Sequence, residues 1–368
     1  MQSGHTDVVS DFIYDAENRH YNHDYKAWRK STASRCAYRY IDNAREKVFV
    51  SGKPAPRLSA AQTERQALSY AAEVIGAALL VLLVCDLGGS SLLIWILRRF
   101  GVDIQLDFLT LTMRGNQWMI TAVRVLSELL KYGIPLIILI RWFKLPGKVI
   151  APTGFGGLPA LIAAAGCGAV CCGLCAVPAN HAAVEIVQMI YTYKEPEAVL
   201  AYGLLDILVI SVLSELLLRG TVLPVLRQFG DIFGIAVTAA IAFLFPAGVP
   251  DRIGELLIGL ASGYLLLRSG SFWNCVLLRV TYAALMYVRL WAVYANDSLS
   301  LLQYVLLLLS AGAAALLLYG ILRRGRLRLK NRRTALSLRE KFSACTQTVT
   351  SLPWSAASAL LTLLQIFY

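Results

Sequence analysis

Histidine is scarce in this chain: four in 368 residues, at His5, His20, His23 and His181, and none after His181. Charged residues are scarce as well, at 16% against 57% hydrophobic. Soluble domains of this length rarely show that balance, so the composition selects a polytopic membrane protein. No apolar run follows Met1, so no cleavable signal peptide is expected. The chain ends Gln-Ile-Phe-Tyr, without the terminal cysteine motif of a lipidation site. Its eight cysteines contain no CxxC pair matched by a second one, which removes zinc-ribbon logic.

What is present is a series of apolar segments of the roughly 20 residues a membrane span needs. They lie near 67–97, 120–140, 157–182, 202–226, 232–250, 253–270, 272–294 and 300–322. The fold class expected is therefore all-α, a polytopic membrane helix bundle of about eight transmembrane helices. The first segment is overlong and interrupted by Asp86-Leu-Gly-Gly-Ser-Ser91, which predicts a tilted helix followed by a short interfacial piece. Three regions follow: a leader over 1–66, a membrane domain over 67–324, and a basic C-terminal segment over 325–368.

Lys and Arg in the short loops set orientation. With the N-terminus inside, Arg141, Lys144, Lys148, Arg227, Arg268 and the run Arg323, Arg324, Arg326, Arg328, Lys330, Arg332, Arg333 fall on the cytoplasmic side. Those twelve outnumber the five outside, Arg98, Arg99, Arg114, Lys194 and Arg252. The expectation is a multi-pass protein of the cell membrane with both termini cytoplasmic. The net charge of +12 then needs no nucleic acid: basic flanks meet anionic headgroups at about 1 kcal/mol per residue, and the lipid bilayer is the first partner. The leader is polar and rich in tyrosine, with Tyr14, Tyr21, Tyr25, Tyr38 and Tyr40. It reads as partly helical around 10–48, either a surface-lying extension or a docking arm for a partner. The apolar tail Trp354–Tyr368 is short for a span and is expected in the interface or against the bundle.

Cys167, Cys171 and Cys175 recur every four residues in the third segment, beside Cys172, with Gly166, Gly168 and Gly173 interleaved. A metal or redox site is one reading. The stronger one is a small-residue stripe that lets helices approach closely, with cysteine acting as a small hydrophobe.

The most informative stretch is Ser214-Glu-Leu-Leu-Leu-Arg-Gly220, which sets an acid and a base four residues apart on one helical face inside an apolar segment. A charge at bilayer depth costs roughly 2.5 to 3.5 kcal/mol on insertion scales, so it normally faces the protein interior and has a partner. Two segments on comes Gly259-Leu-Ala-Ser-Gly-Tyr-Leu-Leu-Leu-Arg-Ser-Gly-Ser-Phe-Trp273. Together the two stretches resemble the CPBP family of intramembrane proteases, also called the CAAX-protease or Abi family. Its first motif reads Glu-Glu-x-x-x-Arg-Gly and its second region Gly-x-x-x-Gly-Tyr-x-x-x-Arg-Thr-Gly-Ser-Leu-Trp. The resemblance is strong over roughly 200 to 290.

The resemblance implies a catalytic glutamate as the first of the Glu-Glu pair, histidines from two later helices, and an Asn or Asp. This chain has Ser214 at the first position, while Glu215 and Arg219 match the second acid and the arginine. The expected Phe-x-x-x-His falls on Ala247 or Val249. Counting from the Ser-Phe-Trp landmark places Arg279 at the last histidine and Ala283 at the Asn or Asp. No catalytic set is intact, and the metal that the family's metalloprotease label implies lacks its ligands, so no cofactor is expected.

Glu215, Arg219 and Arg279 remain as candidates to line the cavity, with Arg279 expected to hold Glu215 in a bidentate pair. A simpler reading has Arg219 snorkelling to the cytoplasmic surface and Glu215 bonding a hydroxyl such as that of Ser214. Glu73, Glu128, Asp206 and Glu255 are left without assigned partners, with Arg289 a possible one for Glu128 or Asp206. The leading functional expectation is a catalytically inactive CPBP-family homologue, a membrane scaffold or regulator of a partner membrane protein or membrane-associated peptide. Its alternative is an active intramembrane endopeptidase with an altered site centred on Glu215. An immunity or small amphipathic ligand-binding role stands third.

Overall fold

Leu, Ala, Ile and Val dominate the apolar segments, and in a bilayer such segments must satisfy their backbone internally, which a helix does within itself. A computed structural model describes residues 19–30, 49–50, 53–54, 60–102, 104–107, 112–154, 156–175, 201, 203–244, 249–294, 298–322, 335–350, 353–354 and 356–357. Helix α1 (Arg19–Lys30) precedes α2 (Ala60–Arg99), α3 (Gln117–Phe143), the short α4 (Gly147–Ile150) and α5 (Gly157–Cys175). Helix α6 (Gly203–Arg227) carries the Ser214–Gly220 motif. Then come α7 (Asp231–Phe243), α8 (Val249–Ser269), α9 (Phe272–Tyr294), α10 (Ser298–Leu322) and α11 (Leu338–Thr346). Two small antiparallel hairpins are the strands among the described residues: β1 (Phe49–Val50) with β2 (Lys53–Pro54), and β3 (Ile104–Asp107) with β4 (Thr112–Gly115).

The architecture is an all-α membrane helix bundle. All eight expected segments are helical over their described residues, and four of the helices are long and apolar enough to cross a membrane by length and composition. Three of the other four fall short for identifiable reasons. Helix α7 is 13 residues long, α3 carries Arg124, Glu128 and Lys131, and α8 carries Asp251, Arg252 and Glu255.

The expected break at Asp86–Ser91 is absent, because α2 runs through it as one helix of 40 residues. Asp86 is paired there, with Lys131 Nζ at 2.7 Å. Gly89 faces α3 closely, and a Cβ on it would lie 3.2 Å from Ser127 Oγ. At 1.5 Å per residue α2 measures about 60 Å, roughly twice the hydrocarbon thickness, so its ends leave the bilayer. At its far end, Leu93 and Ile94 pack with Ile104, Met113, Ile120 and Val123 in a small separate core with the β3–β4 hairpin.

Two larger cores meet at α8, where Tyr264 packs against both. One joins α2, α3, α4, α6 and α7 with part of α8, and the other joins α5, α8, α9 and α10. The small-residue stripe of α5 packs as expected. Added Cβ atoms on Gly166, Gly168 and Gly173 would meet Ala315 Cβ at 2.7 Å, Leu278 O at 2.7 Å and Leu309 Cδ2 at 2.8 Å. Cys171, Cys172 and Cys175 are buried among these contacts. His181 and Lys194 lie outside the described residues, as do Ala247 and the basic run 323–333.

At the end of the bundle that holds Phe143 and Arg227, the two flanking segments form a collar. The leader helix α1 docks on its own bundle: Tyr25 OH donates to the Pro224 carbonyl (2.8 Å) and Trp28 Nε1 to the Phe143 carbonyl (3.2 Å). From the other terminus, the Ala335 and Leu336 N–H groups donate to Glu64 Oε2 (2.7 and 3.1 Å), and Lys341 Nζ donates to the Phe229 carbonyl (2.5 Å).

Candidate functional site

The first motif is not a plain α-helix. Residues Asp206–Ile210 and Leu216–Val222 of α6 are wound as π-helix, flanking an α-helical turn at Ser211–Glu215. Such wide turns are rare and gather at functional positions. The freed geometry leans on side chains: Ser214 Oγ donates to the Ser211 carbonyl (3.1 Å) and Thr221 Oγ1 to the Leu217 carbonyl (2.5 Å). Gly220 is required by contact, because a Cβ there would sit 2.9 Å from the Ile150 carbonyl oxygen of α4.

The second motif supplies the surface on which Arg219 lies. Its Nε donates to Ser262 Oγ at 2.7 Å. Gly259 lies beneath the guanidinium, and a Cβ on it would approach Ala239 Cα to 2.8 Å and Arg219 Nη2 to 3.0 Å. The Gly-x-x-x-Gly spacing thus brings α7, α8 and the arginine together, with Gly263 against Ile235. Gly270, at φ +65°, makes the turn into α9. Ser271 is pinned there by a bridge to Thr153, and the Phe272 N–H donates to the Pro152 carbonyl (3.0 Å).

Glu215 and Arg219 are both fully buried. Arg219 does not snorkel: it lies within the bundle, Nε 3.5 Å from Glu215 Oε2. Its Nη1 and Nη2 and the Glu215 Oε2 find no hydrogen-bond partner among the described residues. Nor does Glu215 bond Ser214, whose hydroxyl is turned to the backbone. Arg279 does reach Glu215, but as one long contact from Nη1 at 3.4 Å. Its close partner is Glu255, both of whose oxygens accept from Nη2, at 2.6 and 2.8 Å. The bidentate Arg279–Glu215 pair expected from the sequence is therefore an Arg279–Glu255 pair with Glu215 at its edge.

The physical reason is access. Both α6 and α8 pack against α9, but Glu215 is shared with Arg219 of its own helix, whereas Glu255 is open to Arg279 at 2.6 Å. Ala283 follows Arg279 by one turn of α9 and is half-buried. Val249 opens α8, and Ala247 lies outside the described residues. Sequence reasoning left Glu255 unassigned, since nothing in its spacing links it to a residue 24 positions away. Ser262 lay inside a quoted motif with no role given to it.

Glu128 pairs with Lys131 at 3.5 Å, joined by Asp86 from α2. The side chains of Asp206 and Arg289 lie outside the described residues, so the alternative through Arg289 falls there too.

A catalytic zinc needs three protein ligands and an open position. The donor set here does not fit one. Both oxygens of Glu215 face guanidinium groups, at 3.4 and 3.5 Å, and Glu255 is engaged by Arg279. A guanidinium carries donors only and cannot ligate a cation.

Comparison with known proteins bears on this segment. Residues 196–285 match the family described as type II CAAX prenyl endopeptidase, Rce1-like, in agreement with a CPBP family membrane protease. That stretch runs from just before α6 into α9 and contains Glu215, Arg219, Glu255, Ser262 and Arg279. No curated protein and no solved structure matches the chain.

Proposed function

With residues 196–285 carrying a CPBP-type membrane protease segment as the premise, we propose that this protein is a non-catalytic member of that group. It acts as a membrane scaffold or regulator that holds a partner membrane protein or membrane-associated peptide. One observation carries the reading. At the position where the family's last histidine is expected, Arg279 binds Glu255 at 2.6 Å and reaches Glu215 at 3.4 Å. An imidazole would offer a lone pair to a water or a metal; a guanidinium offers none and stays protonated. Both acids nearest the reaction centre are engaged by cations rather than poised over water, and general-base chemistry needs the opposite. In this reading no metal is bound, and both termini face the cytoplasm. The collar supports a common side for the two flanking segments, since α1 and α11 pack at one end of the bundle, close to Phe143 and Phe229.

The test is cleavage by purified protein reconstituted in liposomes, using transmembrane and prenylated peptide substrates, with the Glu215→Gln variant alongside. The expected result is no cleavage by either protein and equal folding by size-exclusion profile. Cleavage by the wild type that disappears in a well-folded Glu215→Gln protein would overturn the reading in favour of an altered peptidase.

A further inference from the structure

The outer faces of α2 and α3 change character at two fixed levels. On α2 the exposed residues just before Tyr70 are Gln62, Arg65 and Gln66, whereas every exposed residue from Ala77 to Leu92 is apolar. On α3 every exposed residue from Met119 to Ile137 is apolar, and Arg141, Lys144 and Lys148 follow in the exposed chain beyond. Aromatic rings stand at each change: Tyr70 and Trp142 at one end, Trp95 and Trp118 at the other, all four exposed. Trp142 Nε1 donates to the Tyr70 hydroxyl (3.1 Å), so the first two share a level. Tyr70 and Trp95 are 25 residues apart, and Trp118 and Trp142 are 24 apart, which is about 36 to 38 Å of helix in both cases. That span fits a hydrocarbon core about 30 Å thick with the rings at headgroup depth on either side. Tyr70 and Trp142 therefore mark the headgroup plane at the collar end.

The C-terminal segment crosses that plane. Its start is held by Glu64, which accepts from the Ala335 and Leu336 N–H groups, and its far end by Thr350, whose Oγ1 donates to the Glu73 carbonyl (2.6 Å). Glu64 lies six residues on the water side of Tyr70 and Glu73 three residues on the lipid side. The segment thus descends about 14 Å along α2, from about 9 Å outside the plane to about 5 Å inside it.

Helix α11 has three faces that suit this place. Lys341 and Ala344 are buried against the bundle. Arg339 and Glu340 are exposed on a polar face. Between them Leu338 and Phe342, four residues apart, are exposed at 54% and 40%, and Val349, beyond the helix and beside Thr350, is exposed at 79%. At the depth of Glu73 the medium that accepts an exposed valine is the boundary between headgroups and acyl chains. Charge selects the lipid. On α2, α3, α4, α11 and the α3–α4 turn, the exposed cations at this end are Arg65, Arg141, Lys144, Lys148 and Arg339, against Glu73 and Glu340 as the exposed acids. Such an excess attracts anionic headgroups.

We propose that α11 is a membrane-surface helix, which seats Phe342 and Val349 in the leaflet at the collar end and gathers anionic phospholipid around it. This contact follows from the placement of the bundle in the bilayer and holds whether or not the protein cleaves peptides.

The full-length protein is prepared with the photoreactive residue benzoylphenylalanine in place of Val349 or, separately, of Arg339. Each protein, once its size-exclusion profile matches the wild type, is reconstituted in liposomes of phosphatidylcholine and phosphatidylglycerol in equal amounts. After illumination, intact-mass measurement should show phospholipid adducts at position 349 several-fold above those at 339. Phosphatidylglycerol should exceed phosphatidylcholine among the adducts at 349, and high salt should shrink that excess. Equal yields at the two positions, crosslinks from 349 to protein instead of lipid, adducts in the bulk lipid ratio, or no adduct at all would overturn the proposal.

Discussion

Glu215 and Arg219 on one hand, and Arg227 and Asp231 on the other, are two acid–base pairs of the same i,i+4 spacing, twelve residues apart along the chain. Their surroundings differ sharply. Arg227 lies across the rings of Tyr21 and Tyr25, 5.2 and 4.8 Å from their centres. It donates to Asn22 Oδ1 at 2.9 Å and to Asp231 Oδ1 at 3.1 Å. Arg219 makes one short bond, to Ser262, and leaves both terminal nitrogens unbonded among the described residues. The collar pair is built as a joint, with Arg227 tying α1 to the end of α6 through Asn22 and two tyrosine rings. The Glu215–Arg219 pair is embedded but under-satisfied, the condition of a site shaped for something other than its own stability.

The sharpest way to break the comparison is to remove Arg279. Glu255 would lose its close partner and Glu215 one of two cations, inside a bilayer. Arg279→Ala should cost about 3 to 5 kcal/mol, the range for stripping one member from a buried ion pair. The loss is measured as thermal unfolding of the detergent-solubilised protein. Arg279→Leu combined with Glu255→Leu should recover part of it, since the pair goes together. Additive losses would mean that the two residues do not act on each other.

In the collar, Arg227→Leu should be milder, about 1.5 to 3 kcal/mol for hydrogen bonds to a charged group and the ring contacts. Its effect should be local. The chain between α1 and α2 should become sensitive to brief proteolysis while the melting of the membrane domain shifts little. A fully cooperative loss, with no early cleavage between residues 30 and 60, would show that the collar and the Glu215–Arg279 site are one structural unit.

Much of this contrast was legible before the fold was known, but unevenly. Apolar run length placed all eight helices, and glycine spacing in α5 foretold close helix approach, because small residues have few other uses in an apolar helix. Charge partners were legible only where they were close in sequence: Glu215 with Arg219 could be read, Arg279 with Glu255 could not. The interruption at Asp86–Ser91 misled because its remedy, Lys131, comes from another helix. Arg219 was open to two readings, lining the cavity or snorkelling to the surface, since nothing in its spacing shows that Ser262 and Gly259 hold it inside. The leader read either as a surface-lying extension or as a docking arm for a partner, and its helix α1 docks instead on the chain's own bundle.

The smallest effect sharpens the collar from its other terminus. Ser337 caps α11: Glu340 N–H donates to Ser337 Oγ (3.4 Å), and Glu340 Oε2 accepts from the Ser337 N–H (2.8 Å) and hydroxyl (2.7 Å). These bonds hold the Glu340 carboxyl below its ordinary value, with the Ser337 hydroxyl contributing most. A carboxyl whose folded value is lowered stabilises the fold above its ordinary unfolded value near pH 4.3, and that contribution disappears as pH falls through the folded value. Amide exchange in α11 should therefore quicken on acidification below about pH 4.3 in the wild type. In Glu340→Gln the same amides should show a weaker response to pH, while those of α1, held through Arg227, should respond alike in both proteins. An unchanged acid response of α11 in Glu340→Gln would show that the capping carboxyl does not set it.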